Sequence, residues 1–360
     1  MLVLAVVVVG ASYATYEYVA TSSSEPTLVI YTYASLLNGT VCNPTVYGAV
    51  FGAFESAHHV QIQLECPSGT LVSTLLAQQS SPVADLVIGL NEITTPEAEA
   101  NHLLIPYAPG DLANVPSDLV AELSPDHGAV PYEYGYLAFD YTPEFANETG
   151  GAAATPTLPD FATNASWADQ LVTEDPSQDI TGEEFLAWEV EYYETVLHQN
   201  WTTFWTGVRG HLPPPAPDWS TAFYSEFDSS PSADQVVVSY STDPAYAAYY
   251  GESGQFNSTV AWWNGTEYGW RTIYGVGIVN GTKHLALDQE FEDWFLGGAV
   301  QSLIPTNEWE YPANDTIPLP PAFAAAVPTG PIVPLNNAAP PSTVAALLPG
   351  WVEQWLEIFA

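Results

Sequence analysis

Hydrophobic residues recur along the chain with two spacings. Residues 27–35 (TLVIYTYAS) are β-branched and aromatic, which predicts a strand. Over 47–57 the apolar positions Val50, Phe51 and Phe54 fall at helical spacing. Residues 60–65 (VQIQLE) alternate as a second strand, and 70–79 predict a helix. Residues 84–90 (ADLVIGL) are largely apolar, as in a strand buried on both faces of a parallel sheet. This β-α-β-α-β order implies a three-layer α/β lobe. Beyond it, 130–142 (VPYEYGYLAFDYT), 236–241 and 272–279 predict strands. Residues 182–198 and 287–301 predict helices, and 349–360 a closing helix. Together they predict an α/β protein of two lobes joined by crossing strands, with a cleft between. Residues 27–134 and 275–335 would form lobe 1, 135–274 lobe 2, and 336–360 a closing segment.

Composition supports a packed protein and narrows its partners. Of 360 residues 47% are hydrophobic, enough for two ordinary lobes rather than a disordered chain. No repeat at a fixed period is visible, which argues against a solenoid or propeller. There are 42 acidic residues and three basic ones, Arg209, Arg271 and Lys283, for a formal charge of −39. The acid fraction is ordinary; basic residues are what is missing. Nucleic acid and polyphosphates need clustered Lys and Arg and are excluded. Long-range attraction favours cations instead. The balance fits a protein working in acid, where carboxylates protonate and self-repulsion fades. Heavy glycosylation at neutral pH is the competing account.

Several features point to export. Residues 1–26 open with the apolar run MLVLAVVVVGA and end in SSSEP. The run has the length of a signal-peptide core but lacks a positive start, so it reads as a signal peptide or an uncleaved membrane anchor with a linker. Asn-x-Ser/Thr sequons occur at Asn38, Asn147, Asn164, Asn200, Asn257, Asn264, Asn280 and Asn314, eight of fifteen asparagines. Chance would place roughly a sixth of them so, and the excess suggests N-glycosylation. The two cysteines, Cys42 and Cys66, form either one disulfide or two buried thiols.

Ordered matches through the chain carry a family resemblance. YTYAS (31–35), ADLVIGLN (84–91), VPYEYGYLAFDY (130–141), VSYSTDPAYA (238–247), IPTNEWEYPANDTIPLPPAF (304–323) and GWVEQWLE (350–357) lie in one order with plausible spacing. In these segments the chain resembles the thiamine-binding periplasmic proteins of ABC importers, with the two-lobed type II periplasmic-binding-protein fold. The resemblance implies a ligand held in the interlobe cleft by aromatic rings. Carried over by position, the clamp uses Trp219, Tyr240, Tyr246 and Trp309, with Tyr33 and Ser35 on the opposite wall and Asn91 at a strand end. A flat pyrimidine stacks on such rings, and a thiazolium cation gains about 0.5–2 kcal/mol per ring face. The implied partner is a membrane permease. No cofactor and no metal are expected, and the chain is expected to be monomeric.

The departures from that pattern are chemical. Ala34 and Asn91 stand where the family carries Asp, Ser177 follows Asp175-Pro176 where it carries Arg, and Thr40 lies near an expected Trp. With few cations to neutralise phosphate, phosphorylated thiamine is disfavoured. Loss of the two carboxylates is expected to make capture independent of pH from about 3 to 7, across the carboxylate range. No GxSxG, HExxH, Walker or GxGxxG pattern is present, so an enzyme is not expected. The pairs Glu183-Glu184 and Glu290, Glu292 read as solvated helix faces. The alternatives are ferric-ion binding in the same fold, with Tyr249-Tyr250 as ligands, an extracellular hydrolase, or a structural surface glycoprotein.

Overall fold

One long strand organises the molecule. The computed structural model describes residues 25–33, 36–39 (without the side chains of 38 and 39), 50–67, 70–227, 234–326 and 331–360. Its strands are β1 (Thr27–Tyr31), β2 (Gln61–Glu65), β3 (Leu86–Asn91), β4 (Leu104–Ile105), β5 (Val130–Tyr141), β6 (Leu171–Val172) and β7 (Val236–Tyr240). They continue as β8 (Asn257–Thr259), β9 (Ala261–Trp263), β10 (Thr266–Gly269), β11 (Arg271–Val279), β12 (Tyr311–Pro312) and β13 (Val333–Pro334). The first part of β5, to Tyr136, pairs antiparallel with β11; the part from Leu137 pairs antiparallel with β7. The strand therefore leaves one lobe and enters the other unbroken. β11 starts opposite Tyr136 and runs back into the first lobe. The main sheet has the order β2-β1-β3-β11-β5-β7-β6, with β1 parallel to both β2 and β3.

Each lobe has its own core. The first is aliphatic along the sheet, with Leu28, Ile30, Leu86, Val87, Ile88, Val276 and Ile278 buried, and Phe51, Phe54, Phe291 and Phe295 covering one face. The near-continuous apolar run in β3 follows from helices on both faces. The second core is built from large rings: Phe139, Phe161, Phe185, Trp188, Trp205 and Trp270 are fully buried. Each such side chain contributes about 1.5–3 kcal/mol on burial. The strands β6 and β7 add Leu171, Val236 and Val238 to the same core. The C-terminal helix, Pro341–Phe359, joins this second core through Val344, Leu348, Trp351 and Trp355.

The predicted helices form, with displaced ends. Gly52–His58 and Leu71–Gln78 are helical, the latter capped by the Thr70 hydroxyl, which accepts from Ser73 N–H at 3.1 Å. The helix expected over 182–198 is α-helical only at Ile180–Glu191 and widens to a π-turn at Tyr192–Leu197. The helix expected over 287–301 spans Leu285–Phe295 and restarts at Gly298–Gln301. The closing helix does not start at Pro349 but runs through it from Pro341. Pro349 faces solvent, so the carbonyl it leaves unpaired can reach water, while 344, 348, 351 and 355 keep the buried stripe. A hairpin, β9–β10, was not anticipated. It turns at Asn264-Gly265, both left-handed (φ 49° and 81°), as a type I′ turn requires.

Among the described residues no helix is long and apolar enough to cross a membrane; residues 1–24 lie outside them. Cys66 is not a free thiol, and its expected partner Cys42 lies outside the described residues. Asn147, Asn164, Asn200, Asn257, Asn264 and Asn280 are exposed. Asn314 corrects the glycosylation expectation. It is 2% exposed, its Nδ2 donates to Leu296 O, and its Oδ1 accepts from Thr316. A glycan there would have to displace the packed segment. The side chain of Asn38 lies outside the described residues.

Candidate functional site

The lobes meet where β3 ends, β11 begins and β5 crosses. In parallel α/β sheets this is the edge where strand ends face a crevice. Tyr274 of β11 lies between Asn91 of β3 and Glu133 of β5 in register. Its ring is 6.0 Å from that of Tyr33, and its hydroxyl is 3.4 Å from that of Tyr240, across the lobe boundary. Tyr240 in turn lies 6.1 Å from Trp219, which stacks on Phe223 and donates its indole N–H to Ser239 Oγ at 2.9 Å. Tyr33, Tyr274, Tyr240 and Trp219 thus form one aromatic line from lobe to lobe. Gly89 makes this possible. It has φ +107°, and a Cβ there would lie 2.5 Å from the Tyr33 ring.

Four other rings form a second group. Tyr246 and Trp309 meet edge to face at 5.2 Å, and Tyr249 and Tyr250 close on the same indole at 5.2 and 5.8 Å. Trp309 holds a left-handed backbone (φ 60°), a strained conformation for a bulky residue that the three tyrosines pack in place. The structure therefore gathers the expected ring residues into two groups. Ser35 lies outside the described residues. Asn91 is fully buried and its amide is committed: Oδ1 accepts from Ile93 N–H, Thr94 N–H and the Thr94 hydroxyl, and Nδ2 donates to Glu184 Oε1 at 2.9 Å. It ties the first lobe's last turn to the second lobe's helix. A hollow of about 330 Å³ lies away from the rings, lined by Gln78, Pro82, His102 and Asn280.

Carboxyl groups fill the space behind the rings. The Tyr33 hydroxyl is 2.7 Å from that of Tyr132 and 3.3 Å from both Glu133 and Glu308. Glu308 also accepts from the backbone N–H of Leu37. Burial pushes Glu133 up to about 8. Glu92 accepts from the Trp270 indole at 2.7 Å and Ile273 N–H at 3.0 Å, yet burial holds it up at about 7. Glu184, Glu308 and Glu310 are raised well above the carboxylate range, by burial first and then by neighbouring acids. The solvated reading of the helix pairs is corrected for Glu184 and Glu292, which are 0% and 1% exposed. The one buried cation, Arg271, does not serve these acids. It binds Glu122 through Nε and Nη2 and Asp118 through Nη1.

Sequence reasoning missed Tyr274 and the carboxyls at Glu92, Glu133, Glu184, Glu308 and Glu310. A signal existed for some. Glu308 and Glu310 flank Trp309 in NEWEYP, and Glu92 follows the strand-ending Asn91. None of these carboxyls stands at a spacing that marks convergence, because they come from four distant segments.

Two lobes on crossing strands are the two-lobed fold of type II periplasmic binding proteins. No family model matches the chain. It is similar to the thiamine-binding periplasmic protein of Brucella suis, 26% identical over 339 residues that cover 93% of this chain and 92% of that one. It is likewise similar to the thiamine-binding periplasmic protein of Escherichia coli, 26% identical over 347 residues, 92% and 93% of the two chains. A solved periplasmic thiamin binding protein superposes with a TM-score of 0.76 at 22% identity, covering 94% of this chain and 98% of that one. The ferric binding protein from Campylobacter jejuni shares the fold, with a TM-score of 0.70 at 15% identity over 92% and 99%. The chain is a homologue of periplasmic binding proteins, extracytoplasmic proteins that carry ligands rather than transform them.

Proposed function

We propose that the chain captures thiamine, or a closely related cationic heterocycle, between its lobes and presents it to the permease of an ABC importer. The observation that carries this is the aromatic line Tyr33–Tyr274–Tyr240–Trp219, which crosses the lobe boundary and can stack a flat ring from both sides. Trp309 and Tyr246 supply a second wall. Ring faces favour a cation, and no basic side chain stands beside them to hold a phosphate. Unphosphorylated thiamine is therefore the preferred form. Asn91 serves as a positioning residue for the first wall, since its amide is spent on the turn and on Glu184.

The same function accounts for the export features. Residues 1–26 act as a signal peptide or anchor, Cys42 pairs with Cys66, and the exposed sequons carry glycans on a monomeric surface protein. The test is calorimetric titration with thiamine at about pH 4 and about pH 7, spanning the carboxylate range. We expect tight binding that falls at least about tenfold, roughly 1.4 kcal/mol, in Trp219→Ala. Folded protein that binds thiamine at neither pH would remove thiamine as the ligand.

A further inference from the structure

Acidic side chains join the two lobes at several points, with no cation among them. At one end of the seam, Glu184 of the second-lobe helix Ile180–Glu191 accepts from Asn91 of the first lobe, and its other oxygen, buried, has no partner. Facing it are Glu92 from the turn after β3, Asp179 and Glu183 from its own helix start, Tyr240 from β7 and Tyr274 from β11. The C-terminal helix packs on the same helix through apolar side chains, with its Glu353 and Glu357 exposed. At the other end, Glu310 of the first lobe lies over Gly135, where a Cβ would fall within 2.0 Å of Oε2. Facing it are Glu133, Glu308, Tyr134 and Tyr311 of the first lobe and Asp243 of the second, with Asp140 behind Asp243. Lys283 and Arg209 are exposed elsewhere, and Arg271 is occupied by Glu122 and Asp118.

A carboxylate needs donors or a cation on both oxygens when it is buried. Glu184 has one neutral donor, and its neighbours are acids and phenols. A neutral carboxylic acid fits the same place, because it repels none of them and can donate its own proton. We propose that closure of the lobes is a proton-binding step: Glu184 at one end of the seam and Glu310 at the other close it only as neutral carboxylic acids, and their ionisation parts the lobes. Parting gives each carboxylate water and distance from its neighbours, which the closed seam denies. The cleft then holds its ligand while both acids are neutral and releases it as rising pH ionises them. This sets an upper limit to the pH-independent capture expected from the loss of carboxylates at positions 34 and 91. The consequence for the ligand rests on the function proposed above; the test does not.

The test is small-angle X-ray scattering on the ligand-free protein as pH is raised stepwise from about 4.5, the ordinary value of a glutamate carboxyl, with far-UV circular dichroism in parallel at every step. We expect the radius of gyration to rise by about 1 Å above the roughly 21 Å of a compact chain of this length, with circular dichroism unchanged. Glu184→Gln and Glu310→Gln mimic the neutral acid. Each should move the transition to higher pH, and the double variant should stay compact at every pH at which the wild type has expanded. Either single variant suffices should the other fail to fold. An unchanged radius in the wild type would overturn the proposal. So would a transition that both variants share with the wild type, or an expansion that coincides with loss of the helix signal. If the transition holds while thiamine fails to bind, the ligand assignment falls and the proton-linked closure stands.

Discussion

Glu122 and Glu184 are both buried glutamates near the lobe boundary, one on a first-lobe helix and one on a second-lobe helix, and their surroundings differ by one cation. Glu122 takes two hydrogen bonds from the Arg271 guanidinium, which also holds Asp118. Burial works against charge there, yet Arg271 overrides it and keeps Asp118 below the usual carboxylate range. Arg271 is itself raised: burial opposes its charge and Glu122 outweighs it. Glu184 meets only an amide, two phenols and other acids, and is raised. The same buried side chain is thus paired with a cation in one place and left among acids and phenols in the other. The chain has three basic residues and spends one of them on the first place, so the second depends on protons from the solvent.

The largest test of this contrast is global stability against pH. A carboxyl whose folded pKa is raised costs nothing below its unfolded value near 4.5. Its cost grows as pH rises through the folded value, because the native state then binds more protons than the unfolded one. Glu92, Glu133 and Glu183, at about 7, 8 and 7, place that loss between roughly pH 5 and 8. Each contributes on the order of a few kcal/mol, so the guanidinium midpoint should be highest near pH 4 and fall well before pH 8. A midpoint that rises over this range would contradict the protonated seam. Next comes Arg271→Met, which strands Glu122 and Asp118. It should cost about 3–5 kcal/mol at pH 7 and clearly less near pH 3, below the ordinary aspartate value to which Asp118 returns once the guanidinium is gone. Equal loss at both pH values would mean that the guanidinium acts through packing alone.

Smaller effects sharpen the comparison. Glu184→Gln keeps the shape and removes the titration. It should be close to neutral at pH 4 and increasingly stabilising as pH rises and the wild-type acid ionises, up to about 1–3 kcal/mol, the cost of an ill-partnered buried polar group; destabilisation that grows with pH would mean that the anion is held after all. Gly265→Ala, in the left-handed turn of the β9–β10 hairpin, is a control remote from either acid. It should cost about 1–2 kcal/mol at every pH, and a pH-dependent loss would tie the hairpin to the seam.

Much of the fold was legible. The continuous apolar run of 84–90 marks a strand covered on both faces, and the alternation of 60–65 marks one nearer the edge, where β2 lies. The unusual length of the 130–142 run already contained the crossing strand. The hairpin was legible too, since Asn264-Gly265 sits between aromatic and β-branched residues. The helix through Pro349 was not, because its tolerance depends on Pro349 facing solvent while 348 and 351 are buried.

For the site, the sequence by itself determined the shortage of cations, the aromatic supply and the strand ends that face the crevice. These are local or compositional quantities. Only the tertiary structure decided that Tyr274 completes the aromatic line, that Asn91 is spent on a turn and on Glu184, and which glutamates ionise. Protonation of a buried acid depends on what stands beside it in space, and the neighbours of Glu184 come from positions 91–92, 179–183, 240 and 274. No spacing along the chain records that convergence, because folding sets the distances between those segments.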